Sequence, residues 1–227
     1  MSRGRAITIA IDGPAAAGKS TTARAVADRL GYAHLNSGQM YRAITWAAVR
    51  EGWIDATDFE ARLSELDIEA RRDVPGFRIL VRGVDPGEGM TGEATAARVS
   101  EVAARSSVRA KVLRILRERG GGGGVVCDGR DIGTVVFPDA ELKVFLVASP
   151  QERARRRLRE RDMSPSARDV AEEEERLRAR DRADASRELA PLSKAPDAEE
   201  IDTTGVSPEE VVARIVALAR HRMDRPG

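Results

Sequence analysis

Hydrophobic positions in the first fifty residues form short apolar runs separated by longer stretches of helical spacing. Ala6–Ile11 is a short, β-rich apolar run that ends at a glycine and proline cluster, as a buried strand does. Ser20–Leu30 carries apolar residues on one helical face and is followed by a glycine stop. Tyr32–Leu35 is a candidate second strand, and Gly38–Glu51 is a candidate helix with Ser37 as its N-cap.

The middle of the chain departs from this simple alternation. Phe77–Arg82 partly alternates between apolar and polar residues and precedes a Val-Asp-Pro-Gly turn, which predicts a small antiparallel sheet. Two helical patterns follow, at about Ala94–Ala104 and Val108–Arg119. The glycine run Gly120–Gly124 then favours a flexible connector.

Strand-like runs return in the last half of the chain, at Val125–Cys127, Leu142–Val147 and Glu200–Asp202. Residues 150–188 hold few apolar side chains and alternate arginine with acids, which favours a solvated helical pair with ion pairs between successive turns. The segment Ser207-Pro-Glu-Glu210 combines a capping box with proline at the first helical position and predicts a terminal helix. Because strands alternate with helices, we predict an α/β fold with a mostly parallel sheet.

Composition limits the class of protein. The 227 residues carry 38 Lys+Arg against 37 Asp+Glu, a formal charge of +1, which argues against one large basic face for nucleic acid or an anionic membrane. Cys127 is the single cysteine, so no intrachain disulfide forms, and no apolar run approaches the ~18 residues of a membrane span. We therefore expect a cytoplasmic protein that binds neither nucleic acid nor membrane. We also expect a monomer, although the composition does not bear on the oligomeric state.

The strongest motif lies between the first strand and the first helix. Gly13-Pro-Ala-Ala-Ala-Gly18-Lys19-Ser20 matches the P-loop pattern G-x-x-x-x-G-K-[ST] at every specified position. In such a loop, backbone N–H groups and the helix N-terminus cradle phosphates, the lysine reaches the β- and γ-phosphates, and the serine hydroxyl binds Mg²⁺ directly. We predict that the ATP contacts are Gly13, Pro14, Ala15, Ala16, Ala17, Gly18, Lys19, Ser20 and Thr21.

Two further segments suggest a second, anionic substrate. In Asn36–Arg42, Tyr41 and Arg42 lie one turn into the helix that begins beside the P-loop strand. Asp128–Asp131 follows a strand, where open α/β sheets build their ligand sites. Arginine binds phosphate through bidentate hydrogen bonds. A guanine-reading Asn-Lys-x-Asp segment is absent from the sequence, which argues against a GTPase switch.

These residues resemble bacterial cytidylate kinases, a family of nucleoside-monophosphate kinases, from about Thr8 to about Ala219. Asp-Gly-Arg-Asp-Ile-Gly-Thr and the late Arg-x-x-x-Asp-x-x-Arg are specific to that group, and the segments that carry the resemblance are Ile11–Ser20, Leu35–Arg42, Asp128–Asp139, Ala183–Leu192 and Ile201–Thr204. The resemblance implies one P-loop domain, 1–227, with an α/β/α three-layer arrangement. Its parts would be a core of about 5–53, 106–150 and 198–223, a monophosphate-binding insert of about 54–105 with the small antiparallel sheet, and an Arg-rich helical lid of about 151–190.

The resemblance also implies the reaction and its site. ATP, with Mg²⁺, would phosphorylate CMP or dCMP to the diphosphate by in-line transfer, as a step of pyrimidine nucleotide metabolism. Lys19 would be catalytic, and we hypothesise that Arg153 or Arg157 of the lid reaches the transferred phosphoryl group. Asp128 would hold Mg²⁺ through water. The CMP site would consist of Ser37, Tyr41, Arg42, Arg109, Arg130, Asp131, Arg180, Asp184 and Arg187.

Alternatives stay open for several of these residues and for the function. Arg109 could lie on an exposed helix face, and Arg180, Asp184 and Arg187 could belong to a solvated charge network. Asp128 could cap the turn that follows it. The runner-up functions are a P-loop kinase of another small acceptor, such as UMP, AMP or a shikimate-like molecule, and a non-catalytic nucleotide-binding module.

Two positions depart from the pattern of the family that the chain resembles. Asn36 stands where that family usually has Asp, so any role that needs a negative charge at this position is in doubt. The run Gly89–Gly92 lacks an arginine that the family commonly carries near Thr91, so one phosphate or scaffold contact would be missing.

Overall fold

Seven strands form one sheet in the computed structural model, which describes residues 5–73, 76–160, 164–187 and 189–224. The spatial order is β3-β4-β2-β5-β1-β6-β7, and every neighbouring pair is parallel except β3 with β4. The strands are β1 Thr8–Asp12, β2 Ala33–Asn36, β3 Ile68–Asp73, β4 Gly76–Val81, β5 Val125–Asp128, β6 Leu142–Val147 and β7 Glu199–Asp202. The predicted mostly parallel sheet is therefore confirmed.

Helices cover both faces of the sheet. Along β1, Ile9 and Ile11 pack in a buried cluster with the first and last helices, whereas Ala10 packs in the other cluster with helices from the middle of the chain. Since successive side chains of a strand point to opposite faces, this arrangement is a three-layer α/β/α fold, as predicted. The α-helices of the described residues are α1 Lys19–Leu30, α2 Ser37–Arg50, α3 Phe59–Glu65, α4 Glu93–Ala104, α5 Ser106–Gly120, α6 Pro150–Arg159, α7 Ala167–Ala185 and α8 Pro208–Met223.

The terminal helix α8 follows its sequence signals closely. Ser207 accepts a hydrogen bond from the backbone N–H of Glu210, and the Glu210 carboxylate accepts in return from the backbone N–H of Ser207. This is the predicted capping box, with Pro208 at the start of the helix. None of the helices within the described ranges is long and apolar enough to cross a membrane.

Helix α2 begins one residue earlier than predicted and is capped by a different residue. Asn36 is the N-cap, because its Oδ1 accepts a hydrogen bond from the backbone N–H of Gln39 at 3.0 Å. The prediction of Ser37 as N-cap is therefore wrong. The Ser37 hydroxyl instead donates to the backbone carbonyl of Asp128 at 2.9 Å, which ties the start of α2 to the end of β5.

The predicted antiparallel pair is present, but it is not a separate sheet. Strand β4 pairs with β2 through His34 and Gly76, so β3 and β4 extend one edge of the central sheet. The antiparallel partner of β4 is β3, which precedes it in the chain. The sequence analysis had instead predicted a turn that follows Arg82. Trp53 and Ile79 are buried in the same cluster as Leu35 of β2, and the short helix α3 was not predicted. The bounds proposed for core, insert and lid stay a prediction.

Helices α6 and α7 form the predicted charged helical pair. Ion pairs one turn apart cover their exposed faces, as between Arg168 and Glu172. The pair also has a small apolar cluster, in which Leu158 of α6 and Leu177 of α7 pack with Ala15 of the P-loop. The two helices therefore rest directly on the predicted phosphate-binding loop.

The glycine run 120–124 is a turn with defined contacts, so the prediction of a flexible connector is wrong. The backbone N–H of Gly124 donates to the carbonyl of Ile7, and its carbonyl accepts from the N–H of Ala33, both at 2.9 Å. Gly123 has a φ of +73°, which favours glycine. A Cβ at Gly120 would lie 2.4 Å from Cζ of Phe137. The run therefore brings α5 close to the start of β2 and β5.

Gly120→Ala is expected to destabilise the fold although Gly120 is the last residue of a helix. Alanine would favour the helix by about 1 kcal/mol, but the clash with Phe137 should cost about 1–3 kcal/mol, as overpacking does. Urea denaturation should therefore give a lower free energy of unfolding. Gly122→Ala is the matched control, because nothing lies within 4 Å of its Cβ position. Equal stability of the two variants would show that the Phe137 contact is unimportant.

Candidate functional site

A cavity of about 410 Å³ lies at the edge of the sheet where the parallel strands β1, β2 and β5 end. The P-loop, α2, α5, the end of β5 and the helices α6 and α7 all contribute to its walls. It brings together most of the predicted site residues: Ala15, Ala16, Gly18, Lys19, Ser20, Thr21, Ser37, Tyr41, Arg42, Arg109, Asp128, Arg130, Asp131, Arg157, Arg180, Asp184 and Arg187. It is not lined by the other four, which are Gly13, Pro14, Ala17 and Arg153.

The backbone of the P-loop is held in an unusual conformation. Gly13 has a φ of +145°, and a Cβ there would lie 2.1 Å from the carbonyl oxygen of Leu146, so only glycine fits. Ala16 has a φ of +58°, a left-handed conformation that is strained for alanine and that clusters at functional sites. Helix α1 starts without a side-chain cap and without an acidic residue in its first turn. Its N-terminus is therefore suited to an anion.

Lys19 is buried beneath this loop. Its Nζ donates a hydrogen bond to the backbone carbonyl of Pro14 at 2.6 Å. Burial, followed by the positive charge of Arg130, lowers the pKa of Lys19 well below its usual value, while the nearby carboxylates of Asp128 and Asp12 act in the opposite direction. A phosphate beside Lys19 would favour its charged form.

Ser20 belongs to a chain of hydrogen bonds at the ends of β2 and β5. Its hydroxyl donates to Oδ2 of Asp128 at 2.6 Å and accepts from Nδ2 of Asn36 at 2.9 Å. The other oxygen of Asp128 lies 2.7 Å from Nε2 of His34. Asp128 thus faces the P-loop serine rather than capping the turn after it. The sequence assigned no role to His34, and only the departure from the family pattern drew attention to Asn36.

Oxygen atoms of Ser20 and Asp128 are the side-chain groups suited to a divalent cation at the P-loop. No cluster of three or more His, Cys, Asp and Glu side chains that could hold a metal exists among the residues that the structure describes. Mg²⁺ usually keeps several waters and binds through one or two side chains together with the substrate phosphates. The hydroxyl of Ser20 and the neighbouring carboxylate of Asp128 fit that mode of binding.

Asp12, which the sequence analysis did not single out, organises the other wall of the site. It is the buried last residue of β1, and its two oxygens accept from the backbone N–H groups of Ile132 at 2.8 Å and Gly133 at 2.7 Å. Burial raises the pKa of Asp12 to about 6, although the two backbone donors act against this shift. The carboxylate fixes the turn that follows Arg130 and Asp131 against the P-loop strand.

Three of the predicted acceptor-site arginines are held by carboxylates. Arg130 pairs with Asp184 at 2.9 Å, and Arg187 pairs with the other oxygen of the same carboxylate. Arg109 pairs with Asp131 at 2.5 Å. Burial raises the pKa of Asp131, while Arg109 acts to lower it. Arg109 is thus partly buried and oriented toward the cavity, and it does not lie on an exposed helix face.

Arg42, Arg157 and Arg180 line the same cavity with less neutralisation. Partial burial, followed by the nearby charge of Arg157, lowers the pKa of Arg42. Within the described part of the chain, Arg180 makes neither a hydrogen bond nor an ion pair, and Arg130, Arg42 and Arg157 are among its charged neighbours. Several guanidinium groups that face one cavity form a binding site for an anion such as phosphate.

The two lid arginines of the sequence hypothesis lie in different environments. Arg153 is buried and donates to the backbone carbonyl of Ala15 at 3.2 Å while pairing with Asp181. Asp181 also accepts from the backbone N–H of Ala15 at 3.2 Å, a contact that the sequence did not predict. Arg157 lines the cavity and, among the described residues, forms an ion pair with Glu160 at 3.0 Å. Of the two, Arg157 is therefore the one that faces the cavity.

The parallel sheet, the P-loop and the arginine-lined cavity together define a P-loop protein of the nucleotide-binding α/β class. The family model for cytidylate kinase matches residues 9–221. The chain therefore belongs to the cytidylate kinase family, an enzyme family of phosphotransferases.

Individual relatives agree with this assignment. A cytidylate kinase of Geobacillus kaustophilus (strain HTA426) is 49% identical over 222 residues, which is 96% of this chain and 99% of the relative. One from Bacillus subtilis (strain 168) is 44% identical over 220 residues, covering 95% and 97%. An uncharacterized protein from Eubacterium ventriosum ATCC 27560, of known structure, aligns with a TM-score of 0.51 at 11% identity, covering 96% and 99%. That similarity shows the fold alone.

Asp12→Asn is expected to change the pH dependence of stability. The folded protein protonates Asp12 near pH 6, whereas the unfolded chain does so near the ordinary value of 3.8. Between these values the folded state holds more protons, so the contribution of this group to stability falls as the pH rises. From pH 7 to pH 4, the stability of the wild type relative to the variant should increase, by about 1–3 kcal/mol. Urea denaturation at each pH measures this difference, and a constant difference would contradict the shifted pKa.

Proposed function

We propose that the protein transfers the γ-phosphoryl group of ATP to CMP or dCMP, forming ADP and CDP or dCDP. The observation that carries this proposal is a single cavity in which the P-loop faces a group of arginines. Lys19 and Ser20 lie on one side, and Arg42, Arg130 and Arg180 lie on the other. Membership of the cytidylate kinase family and the names of its relatives support CMP as the acceptor.

The P-loop side of the cavity suits the triphosphate of ATP. The backbone N–H groups at the start of α1 would bind the phosphates, and Lys19 would exchange its hydrogen bond to Pro14 for a phosphate oxygen. Ser20 would hold Mg²⁺ directly, and Asp128 would hold it through water. The bound ion would supply positive charge that neutralises the phosphate oxygens during transfer.

The arginine side of the cavity suits the acceptor phosphate. Arg42, Arg130 and Arg180 approach one another without enough acidic partners to neutralise them, so an incoming phosphate would relieve their mutual repulsion. Asp184 orients Arg130 and Arg187 at once, because it pairs with both. Arg42, Arg130 and Arg180 would then hold the acceptor phosphate with one of its oxygens directed toward the P-loop.

The nucleoside would extend into a second cavity of about 190 Å³ that adjoins the first. The two cavities share Ser37, Tyr41, Arg109 and Asp131. The shared wall thus offers an aromatic ring, a guanidinium and a carboxylate, whereas Leu113 makes the far wall apolar. A flat pyrimidine ring with a polar edge fits that combination. Ser37 on the shared wall, together with Asp184 and Arg187 of the first cavity, would read its edge.

Catalysis would consist of positioning and charge stabilisation, because phosphoryl transfer needs no covalent intermediate on the protein. An oxygen of the acceptor phosphate would attack the γ-phosphorus in line while the bond to the β-phosphate oxygen breaks. Arg157 would stabilise the charge on the transferred group, since it faces the cavity from α6. Arg153 would hold α7 and the P-loop together through Asp181 and Ala15, and α6 with α7 would exclude water.

We further propose that the protein acts as a monomer in the cytoplasm, with ATP and CMP or dCMP as its small-molecule partners. The contacts proposed above for ATP and for the acceptor all involve residues of a single chain.

Steady-state kinetics with CMP, dCMP, UMP, AMP and GMP tests the proposed function. We expect CMP and dCMP to be the best acceptors, UMP to be the nearest competitor, and AMP and GMP to be poor. Sites that hydrogen-bond a substrate can reject a mismatched one by ~10⁴-fold in kcat/KM. Lys19→Met should lower kcat by at least ~100-fold, the order of effect seen when one charge-stabilising group is removed, while circular dichroism remains unchanged.

The outcomes of this panel are distinct. A higher kcat/KM for UMP or AMP than for CMP would overturn the acceptor assignment and leave a kinase. ATP binding without ADP production for any acceptor would favour a non-catalytic nucleotide-binding module. Full turnover by the Lys19→Met variant would contradict the assignment of the P-loop.

Arg157→Gln is expected to lower kcat by ~10³-fold, because an arginine that reaches the transferred group contributes ~10³–10⁵ to the rate. The KM for CMP should change little. Arg159→Gln is the matched control, since Arg159 lies on the same helix, is exposed and does not line the cavity. Rapid-quench measurement of a single turnover distinguishes the chemical step from product release. Equal rates for the two variants would exclude Arg157 from catalysis.

A further inference from the structure

His34 is a buried imidazole with no place in the reaction described above. It lies on β2, is 8% exposed and does not line the cavity. It therefore lies outside the binding site proposed for ATP and the acceptor. Its Nε2 lies 2.7 Å from Oδ1 of Asp128, a carboxylate that is itself 3% exposed.

Asp128 connects His34 to the P-loop. Strands β2 and β5 are parallel neighbours, and Asn36 pairs with Asp128 in their register, so both side chains leave the sheet at the same level. One oxygen of the carboxylate faces His34 and the other accepts from the hydroxyl of Ser20 at 2.6 Å. The contact with His34 therefore selects one orientation of the carboxylate, in which Oδ2 points at Ser20.

The orientation of the Ser20 hydroxyl depends on this carboxylate. A serine hydroxyl has one proton and two lone pairs. Asp128 accepts the proton, and Nδ2 of Asn36 donates to one lone pair at 2.9 Å. The remaining lone pair is free to bind a cation. If Asp128 rotated away, the proton of Ser20 would have no fixed acceptor, and the lone pair would lose its direction.

We infer that His34 is a positioning residue for the metal site: it holds Asp128 in the orientation that takes the proton of Ser20 and so aims a lone pair of Ser20 at the Mg²⁺ of a bound nucleotide. The inference rests on the proposed function only for the binding of a metal–nucleotide complex. It does not depend on the identity of the acceptor.

Two substitutions separate this role from simple packing. His34→Phe keeps an aromatic ring in the buried position and removes the nitrogen that faces Asp128. His34→Gln places an N–H donor the same number of bonds from Cα as Nε2 of histidine, so it should preserve the contact. Loss of a group that orients a metal ligand typically weakens metal binding ~10–100-fold.

The experiment measures Mn²⁺ binding to the complex of the full chain with ADP, by electron paramagnetic resonance. We expect His34→Phe to weaken Mn²⁺ binding ~10–100-fold and His34→Gln to keep it near the wild-type value. The affinity for ADP in EDTA should be equal in all three proteins, because Lys19 and the P-loop amides do not contact His34. In turnover assays, the Mg²⁺ concentration for half-maximal rate should rise by the same factor in His34→Phe, and excess Mg²⁺ should restore kcat.

Wild-type Mn²⁺ affinity in a folded His34→Phe variant would overturn the inference, even if its melting temperature fell. If that variant does not fold, His34→Met decides the question, because methionine matches glutamine in length and carries no N–H donor that could face Asp128. Mn²⁺ binding by His34→Met as tight as that by His34→Gln would overturn the inference.

Failure of the proposed function is distinguishable from failure of this inference. The Mn²⁺ measurement uses ADP without CMP, so a wild-type protein that binds Mn²⁺–ADP but does not phosphorylate CMP loses only its acceptor assignment. If ADP binds normally and His34→Phe does not change the Mn²⁺ affinity, the inference about His34 is contradicted and the proposed function is not. Wild-type protein that binds no Mn²⁺–ADP would contradict both.

Discussion

The close approach of the P-loop backbone to β6 at Gly13 is the constraint on which the site depends. A Cβ at this position would lie 2.1 Å from the carbonyl oxygen of Leu146, so the chain can turn here from β1 into α1 only as glycine. The turn places Lys19 and Ser20 at the ends of β2 and β5. There the side chains of Asn36 and Asp128 form hydrogen bonds with the hydroxyl of Ser20. A wider turn would separate the serine from the carboxylate that orients it.

The formal charge of +1 for the whole chain conceals an uneven distribution of positive charge within the molecule. Several arginines of α6 and α7 pair with acids one turn away, and exposed pairs of this kind contribute little to stability. The arginines of the cavity are different, because Asp184 must serve two of them and Arg180 has no acidic partner of its own among the described residues. The excess positive charge is therefore concentrated where a phosphate would bind.

Features that depend on local chemistry were predictable from the sequence. The P-loop, the capping box at Ser207 and the apolar run of β6 are each defined by residues within one short stretch of sequence. Each of them appears in the structure where it is expected. The resemblance of the chain to a family extended this to Arg42 and Asp184, which are far apart in sequence but line one cavity.

Features that depend on which strands become neighbours were not predictable from local patterns. The bond between Asp12 and the N–H groups after Asp131 joins positions about 120 residues apart. The contact of Asp181 with Ala15 likewise joins α7 to the P-loop across 166 residues. The N-cap of α2 was misplaced for a simpler reason, since Asn36 and Ser37 are both good capping residues. The end of β5 decides between them, because the hydroxyl of Ser37 donates to the backbone carbonyl of Asp128 and so does not cap the helix.

Asn36 shows why a neutral side chain serves at a position where the sequence left the need for a charge in doubt. Its Oδ1 caps α2, a task that a carboxylate would perform equally well. Its Nδ2 donates to Ser20 and lies 3.5 Å from Oδ2 of Asp128. An ionised carboxylate has no proton to donate and could not replace the amide in these contacts. A second carboxylate at this distance would repel Asp128 and raise the pKa of one of the pair. The amide therefore leaves Asp128 as the negative charge beside Ser20 and fixes the hydroxyl between them.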